Sequence, residues 1–143
     1  MRKDIRTEIE INASAEKVWQ ILSDFENFPN WNPFVVKVLG TPKVDEILKI
    51  EVQLPESMKL KFTPLVLKAE PNKELRWVGT MPLGAFRGEH FYQIETLDEN
   101  KVRFVHGEHF KGWFVGVIWR MVGNQTETGY RLMNEALKKE AEK

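Results

Sequence analysis

The chain has 143 residues, of which 42% are hydrophobic, and carries 21 basic against 21 acidic side chains with no cysteine. That length fits one folding unit of ~100–150 residues with a packed core. Zero net charge removes the electrostatic argument for nucleic acid, which calls for a basic face, and for a polybasic membrane anchor. Without cysteine there is neither a disulfide framework nor thiolate chemistry.

The opening MRKDIRTEIEIN lacks the apolar run of a signal peptide, and no window reaches the ~18 apolar residues of a membrane helix. The expected setting is therefore cytoplasmic, with no integral membrane segment. Asn12-Ala13-Ser14 and Asn124-Gln125-Thr126 match the glycosylation sequon and read as chance matches in that setting.

Ile5, Thr7, Ile9 and Ile11 alternate with charged residues, the pattern of a strand with one wet face. Ser14 is placed to cap a helix, with Lys17 where a capping-box acid would sit. Val18, Trp19, Ile21, Leu22 and Phe25 then follow helical spacing. Pro29 and Pro33 prevent a long helix, so the spacing predicts a short helix, a tight aromatic bend and a second short helix. Large apolar rings beside this turn must cover a core or the mouth of a cavity, and Trp31 is a candidate gate.

Six further strands are expected in hairpin succession. They are Val35 to Leu39, Leu48 to Leu54, Met58 to Ala69 (with an edge or bulge at Pro64), Leu75 to Thr80, Phe86 to Leu97, and Val102 to Phe110. Gly112 breaks the pattern. From Trp113 to Glu142 the period becomes helical, with Phe114, Ile118, Met121, Val122, Gln125, Gly129, Leu132, Met133, Ala136 and Leu137 on one stripe. The expected fold is α+β: a seven-stranded antiparallel curved sheet around a long C-terminal helix, with two short helices after the first strand. A twisted sheet curling round one helix leaves a hollow between them, the natural ligand site.

The hairpin around Asp98 carries the densest chemistry. Its inward faces are Phe86, Gly88, His90, Tyr92, Ile94 and Val102, Phe104, His106, Glu108, Phe110. A register pairing Ile94 with Phe104 sets Tyr92 opposite His106 and His90 opposite Glu108, with Glu95 facing Arg103 outside. Directly opposed Cβ atoms lie ~4.5–5.5 Å apart. His109 falls on the outer face as a solvent residue. Three roles remain open for the cluster: a structural pair holding register, polar contacts in an apolar pocket, or acid/base chemistry by Glu108 with His90 or His106. No metal site is expected, because nothing supplies a fourth ligand, and no motif implies a cofactor. Trp31, Phe62, Trp77, His90, Tyr92, His106, Glu108, Met121 and Gln125 are the candidate ligand-binding residues. Met121, Gln125 and Leu132 are expected to face the sheet.

The segments VWQILSDFENFPNWNPF, ELRWVG, FRGEHFYQIE, VRFVHGEHFKGW and GYRLMNEALKKEAE resemble the SRPBCC superfamily, which has the START-like or helix-grip fold, and its polyketide cyclase/dehydrase-like branch in particular. The likeness covers residues 1–143. It implies a single START-like domain binding a small hydrophobic ligand: a lipid, a polyketide or an aromatic metabolite. A polyketide cyclase or dehydratase is one alternative, and a co-chaperone-like protein-interaction module another. The oligomeric state is left open.

Overall fold

The computed structural model describes all 143 residues. It runs β1 (Arg2–Ile11), α1 (Ala15–Ser23), a 3-10 turn (Phe25–Asn30), β2 (Val35–Leu39), β3 (Lys49–Gln53), β4 (Lys59–Phe62), β5 (Leu65–Glu70), β6 (Glu74–Met81), a short 3-10 turn (Pro82–Gly84), β7 (Phe86–Asp98), β8 (Lys101–Lys111) and α2 (Val115–Ala141). Five strands lie in the order β1-β8-β7-β6-β5 and three in the order β2-β3-β4, every pairing antiparallel.

The two sheets together hold eight strands, where one sheet of seven was expected. The residues read as one strand from Met58 to Ala69 divide at Pro64, which has no N–H to donate to a ladder. β4 stays with β3, while β5 crosses to β6. The two sheets remain joined at that corner by an Ile47–Leu65 bridge and by the bond from the Leu48 N–H to the Pro64 carbonyl.

Local rules account for the other elements. The Ser14 side chain accepts from the Lys17 N–H at the start of α1, as its position predicts, and Val18 and Leu22 bury the inner face. The aromatic bend is closed by Asn32, whose Oδ1 accepts from both Phe34 and Val35 N–H groups at 2.9 Å. Gly112, at φ 138°, turns the chain from β8 into α2, a backbone region open to glycine. A Cβ there would sit 2.3 Å from the Ala85 carbonyl oxygen.

α2 runs unbroken for 27 residues, ~40 Å of helix, across the inner face of the sheet. One cluster of 27 buried apolar residues joins β1, α1, the bend, both sheets and the second half of α2. The buried stripe of α2 is rotated from the expected one. It consists of Val115, Gly123, Gly129, Tyr130, Met133, Asn134, Leu137 and Ala141, whereas Leu132 is 46% and Met121 67% exposed. Gly129 lets the helix approach the bend, since a Cβ would fall 2.2 Å from the Phe34 ring. No helix is long and apolar enough to cross a membrane.

Candidate functional site

The hairpin register is the expected one: Ile94 pairs with Phe104, Tyr92 with His106, His90 with Glu108 and Glu95 with Arg103. Alternation then sends His90, His106 and Glu108 inward. His109 takes the outer face, bonded to Asp4 at 2.7 Å and stacked on Phe91. The inner side chains meet α2, which adds two groups that the sequence reading did not single out, Tyr130 and Asn134.

The resulting chain of hydrogen bonds has a fixed direction. The Thr7 hydroxyl donates to the His106 carbonyl oxygen at 2.8 Å, which uses its only proton. The Asn134 group facing Thr7 Oγ1 at 2.8 Å must therefore be the amide NH2, leaving Asn134 Oδ1 to face His106 Nδ1 at 2.9 Å. His106 Nδ1 carries the proton, and its Nε2 is the acceptor for His90 Nε2–H at 2.8 Å. Burial holds His106 well below the ordinary histidine range, helped by His90 and opposed by the Asn134 bond, consistent with a neutral ring. At the far end His90 Nδ1 lies 3.2 Å from Glu108 Oε1 and 3.4 Å from the Tyr130 hydroxyl. Tyr130 donates to the same Glu108 oxygen. Burial, with the Glu108 charge adding to it, raises both Tyr130 and Tyr92 well above the usual phenol range.

Rings lock these groups in place. His90 stacks on Trp77, with centroids 5.3 Å apart, and His106 lies against Tyr130 at 4.2 Å and 15°.

A cavity of about 550 Å³ opens between the sheet and the first half of α2, and 16 of its 25 lining residues are hydrophobic. Met58, Phe62, Met81 and Met121 line it and are exposed, so they form its rim. His90, Glu108 and Tyr130 supply polar atoms deeper in the wall. Of the nine residues singled out from the sequence, Phe62, Trp77, His90, Glu108 and Met121 line this cavity. Tyr92 and His106 do not: both are fully buried behind His90. Trp31 packs edge-on against Phe28 in the bend, and Gln125 sits half-buried on α2 between the lining residues Val122 and Thr126. Neither reaches the cavity wall.

Tyr130, Asn134 and Thr7 were legible only in part. Thr7 lies on the inward face of β1, and Tyr130 and Asn134 are one helical turn apart, but a polar type removes each from an apolar stripe. The cavity-facing arrangement can hold and move one proton between imidazole and carboxylate. No group of three or more acidic, cysteine or histidine side chains is placed so that it could hold a metal ion.

A family model described as polyketide cyclase/dehydrase and lipid transport matches residues 2–142. No curated protein matches the chain in sequence at a significant level. Among solved structures, ZhuI aromatase/cyclase from Streptomyces sp. R1128 superposes with TM-score 0.80 at 16% identity, over 99% of this chain and 94% of that one. A START superfamily protein from Mycobacterium smegmatis gives TM-score 0.76 at 21% identity, over 97% of both chains. Norcoclaurine synthase from Thalictrum flavum, in complex with dopamine and hydroxybenzaldehyde, gives 0.70 at 14% identity, over 97% and 86%. At such identities these are likenesses of fold.

Proposed function

Because the chain belongs to the polyketide cyclase/dehydrase and lipid transport family, within the START/SRPBCC superfamily, we propose that residues 1–143 form one domain that binds a small, largely apolar molecule in the cavity between sheet and α2. One observation carries the reading: a cavity of about 550 Å³ with a mostly apolar lining and a few convergent polar groups. Ligand sites have that size and composition, ~300–1,000 Å³. Apolar wall supplies affinity, and His90, Glu108 and Tyr130 orient the ligand.

Gly79 provides the test. It lines the cavity, and a Cβ added there meets nothing within 4 Å. Gly79→Phe therefore fills empty space and adds a residue favoured in strands. Titration with the uncharged fluorophore N-phenyl-1-naphthylamine is expected to show one saturable site in the parent. The site should be lost in Gly79→Phe, with an unchanged melting temperature. Equal binding by both proteins refutes the reading.

A second reading is favoured by the His90–Glu108 contact at the cavity wall. A cyclase or dehydratase acting on a polyketide-like chain would use that pair to move protons, while the cavity holds the chain folded. A bell-shaped pH–rate profile lost in Glu108→Gln would support it. A protein-interaction role has less to stand on, because the outer strand faces carry Lys49, Glu51, Lys59, Glu95 and Arg103. The cytoplasmic setting is part of the same proposal.

A further inference from the structure

We infer that the ligand presents a hydrogen-bond donor, a hydroxyl or phenol, to Glu108 Oε2, and that a carboxylate or phosphate head is excluded from this end of the cavity. The inference rests on the cavity reading above and specifies its chemistry.

At the buried end of the cavity the polar wall has its protons committed to protein acceptors, so it offers a ligand an acceptor and no spare donor. The His106 Nδ1 proton is spent on Asn134, and the His90 Nε2 proton on His106. Tyr130 donates its hydroxyl proton to Glu108 Oε1. His90 Nδ1 and Glu108 Oε1 face each other at 3.2 Å, so a proton carried by the pair is shared on that side of the carboxylate. Moving it to Oε2 would leave lone pairs of Nδ1 and Oε1 facing each other at 3.2 Å, with the Tyr130 hydroxyl alone to serve both. The Thr126 hydroxyl on the same wall is already spent on the Val122 carbonyl.

Glu108 Oε2 is thus left over as an acceptor. No protein donor reaches it, although the Glu108 side chain is only 14% exposed. Gly88, which lines the cavity with it, opens the way: a Cβ at that position would fall 2.3 Å from Oε2 and 2.9 Å from the Phe86 ring. Oε2 opens into this largely apolar cavity, where a ligand donor satisfies it and a ligand without one strips it of solvent, so the donor is favoured. An anion in the same place would meet an oxygen already rich in negative charge. The one fully charged cation on the lining, Lys61, is exposed at the rim.

Calorimetric titration at pH 7 with 2-naphthol, 2-methoxynaphthalene and 2-naphthoate tests this. Three proteins are compared: the parent, Glu108→Leu and Gly79→Phe. In Glu108→Leu the Tyr130 hydroxyl still has His90 Nδ1 at 3.4 Å as an acceptor, and a melting curve verifies that it folds. The parent is expected to bind 2-naphthol about tenfold more tightly than either other probe. That preference should fall to parity in Glu108→Leu, with 2-methoxynaphthalene bound as before. Tight binding of 2-naphthoate, equal binding of the three probes, or a naphthol preference kept in Glu108→Leu overturns the inference and leaves the cavity reading standing. If none of the probes binds the parent better than Gly79→Phe, the cavity reading falls and this inference with it.

Discussion

Acidification should destabilise the protein through His106, and the size of the effect follows from its surroundings. The ring is 0% exposed, its Nδ1 is committed to Asn134 and its Nε2 to His90, and burial depresses its proton affinity strongly. In the unfolded chain the same imidazole titrates near 6.5. Below that pH the unfolded state takes up a proton that the folded state refuses, so stability falls as pH falls. The slope approaches about 1.4 kcal/mol per pH unit. Between pH 7 and pH 5 the loss from this one residue comes to about 2 kcal/mol, or roughly 5–10 °C in melting temperature for a chain of this length. Urea denaturation at half-unit steps across that interval measures it. His106→Gln keeps a donor and an acceptor but cannot titrate, while His90, Glu108, Tyr92 and Tyr130 remain in both proteins. The difference in slope therefore isolates His106, whatever the variant's absolute stability. Superimposable slopes for parent and His106→Gln between pH 5 and pH 7 would refute a buried neutral imidazole.

At the alkaline end, Tyr92 and Tyr130 keep their protons in the folded state, so stability should fall above about pH 10, where an unfolded tyrosine ionises. A Tyr130→Phe variant should show a shallower decline in the same denaturation series. Asn134→Leu strands the His106 Nδ1 proton in the core and should cost about 1–3 kcal/mol, read as a lower urea midpoint. Gly129→Ala improves helix propensity by about 1 kcal/mol, yet the new methyl overlaps the Phe34 ring. Overpacking of about 1–3 kcal/mol should win and lower the melting temperature by several degrees. Asn32→Ala frees the buried Phe34 and Val35 N–H groups and should cost about 1–3 kcal/mol by the same assay.

Strand alternation carried most of the fold. The β7–β8 register was legible because a one-residue slip would have turned Tyr92, His90 and Glu108 outward and parted Glu95 from Arg103. The break at Pro64 was visible as an irregularity, but its outcome was not. Nothing local distinguishes a bulge within one strand from a corner between two sheets. On α2 the apolar residues alone gave the wrong centre for the buried stripe. Tyr130 and Asn134 lie at its middle, and their burial depends on partners more than twenty residues away in β1, β7 and β8. The inward histidine–glutamate cluster followed from period-two counting. Its depth did not: His90 and Glu108 reach the cavity, whereas His106 and Tyr92 fill the space behind them. Trp31 illustrates the opposite error, since an aromatic ring between prolines can equally cap a core, and here it packs on Phe28.

The five methionines offer the most direct test of the cavity. Met58, Met81 and Met121 line it, while Met133 is sealed beneath Tyr92 and Met1 lies against Gly116. In the NMR spectrum of methyl-labelled protein, added 2-naphthol should shift the first three signals together and saturably, and leave Met1 in place. Shifts confined to Met1, or none at Met58, Met81 and Met121 under saturating probe, would contradict a ligand held between the sheet and α2.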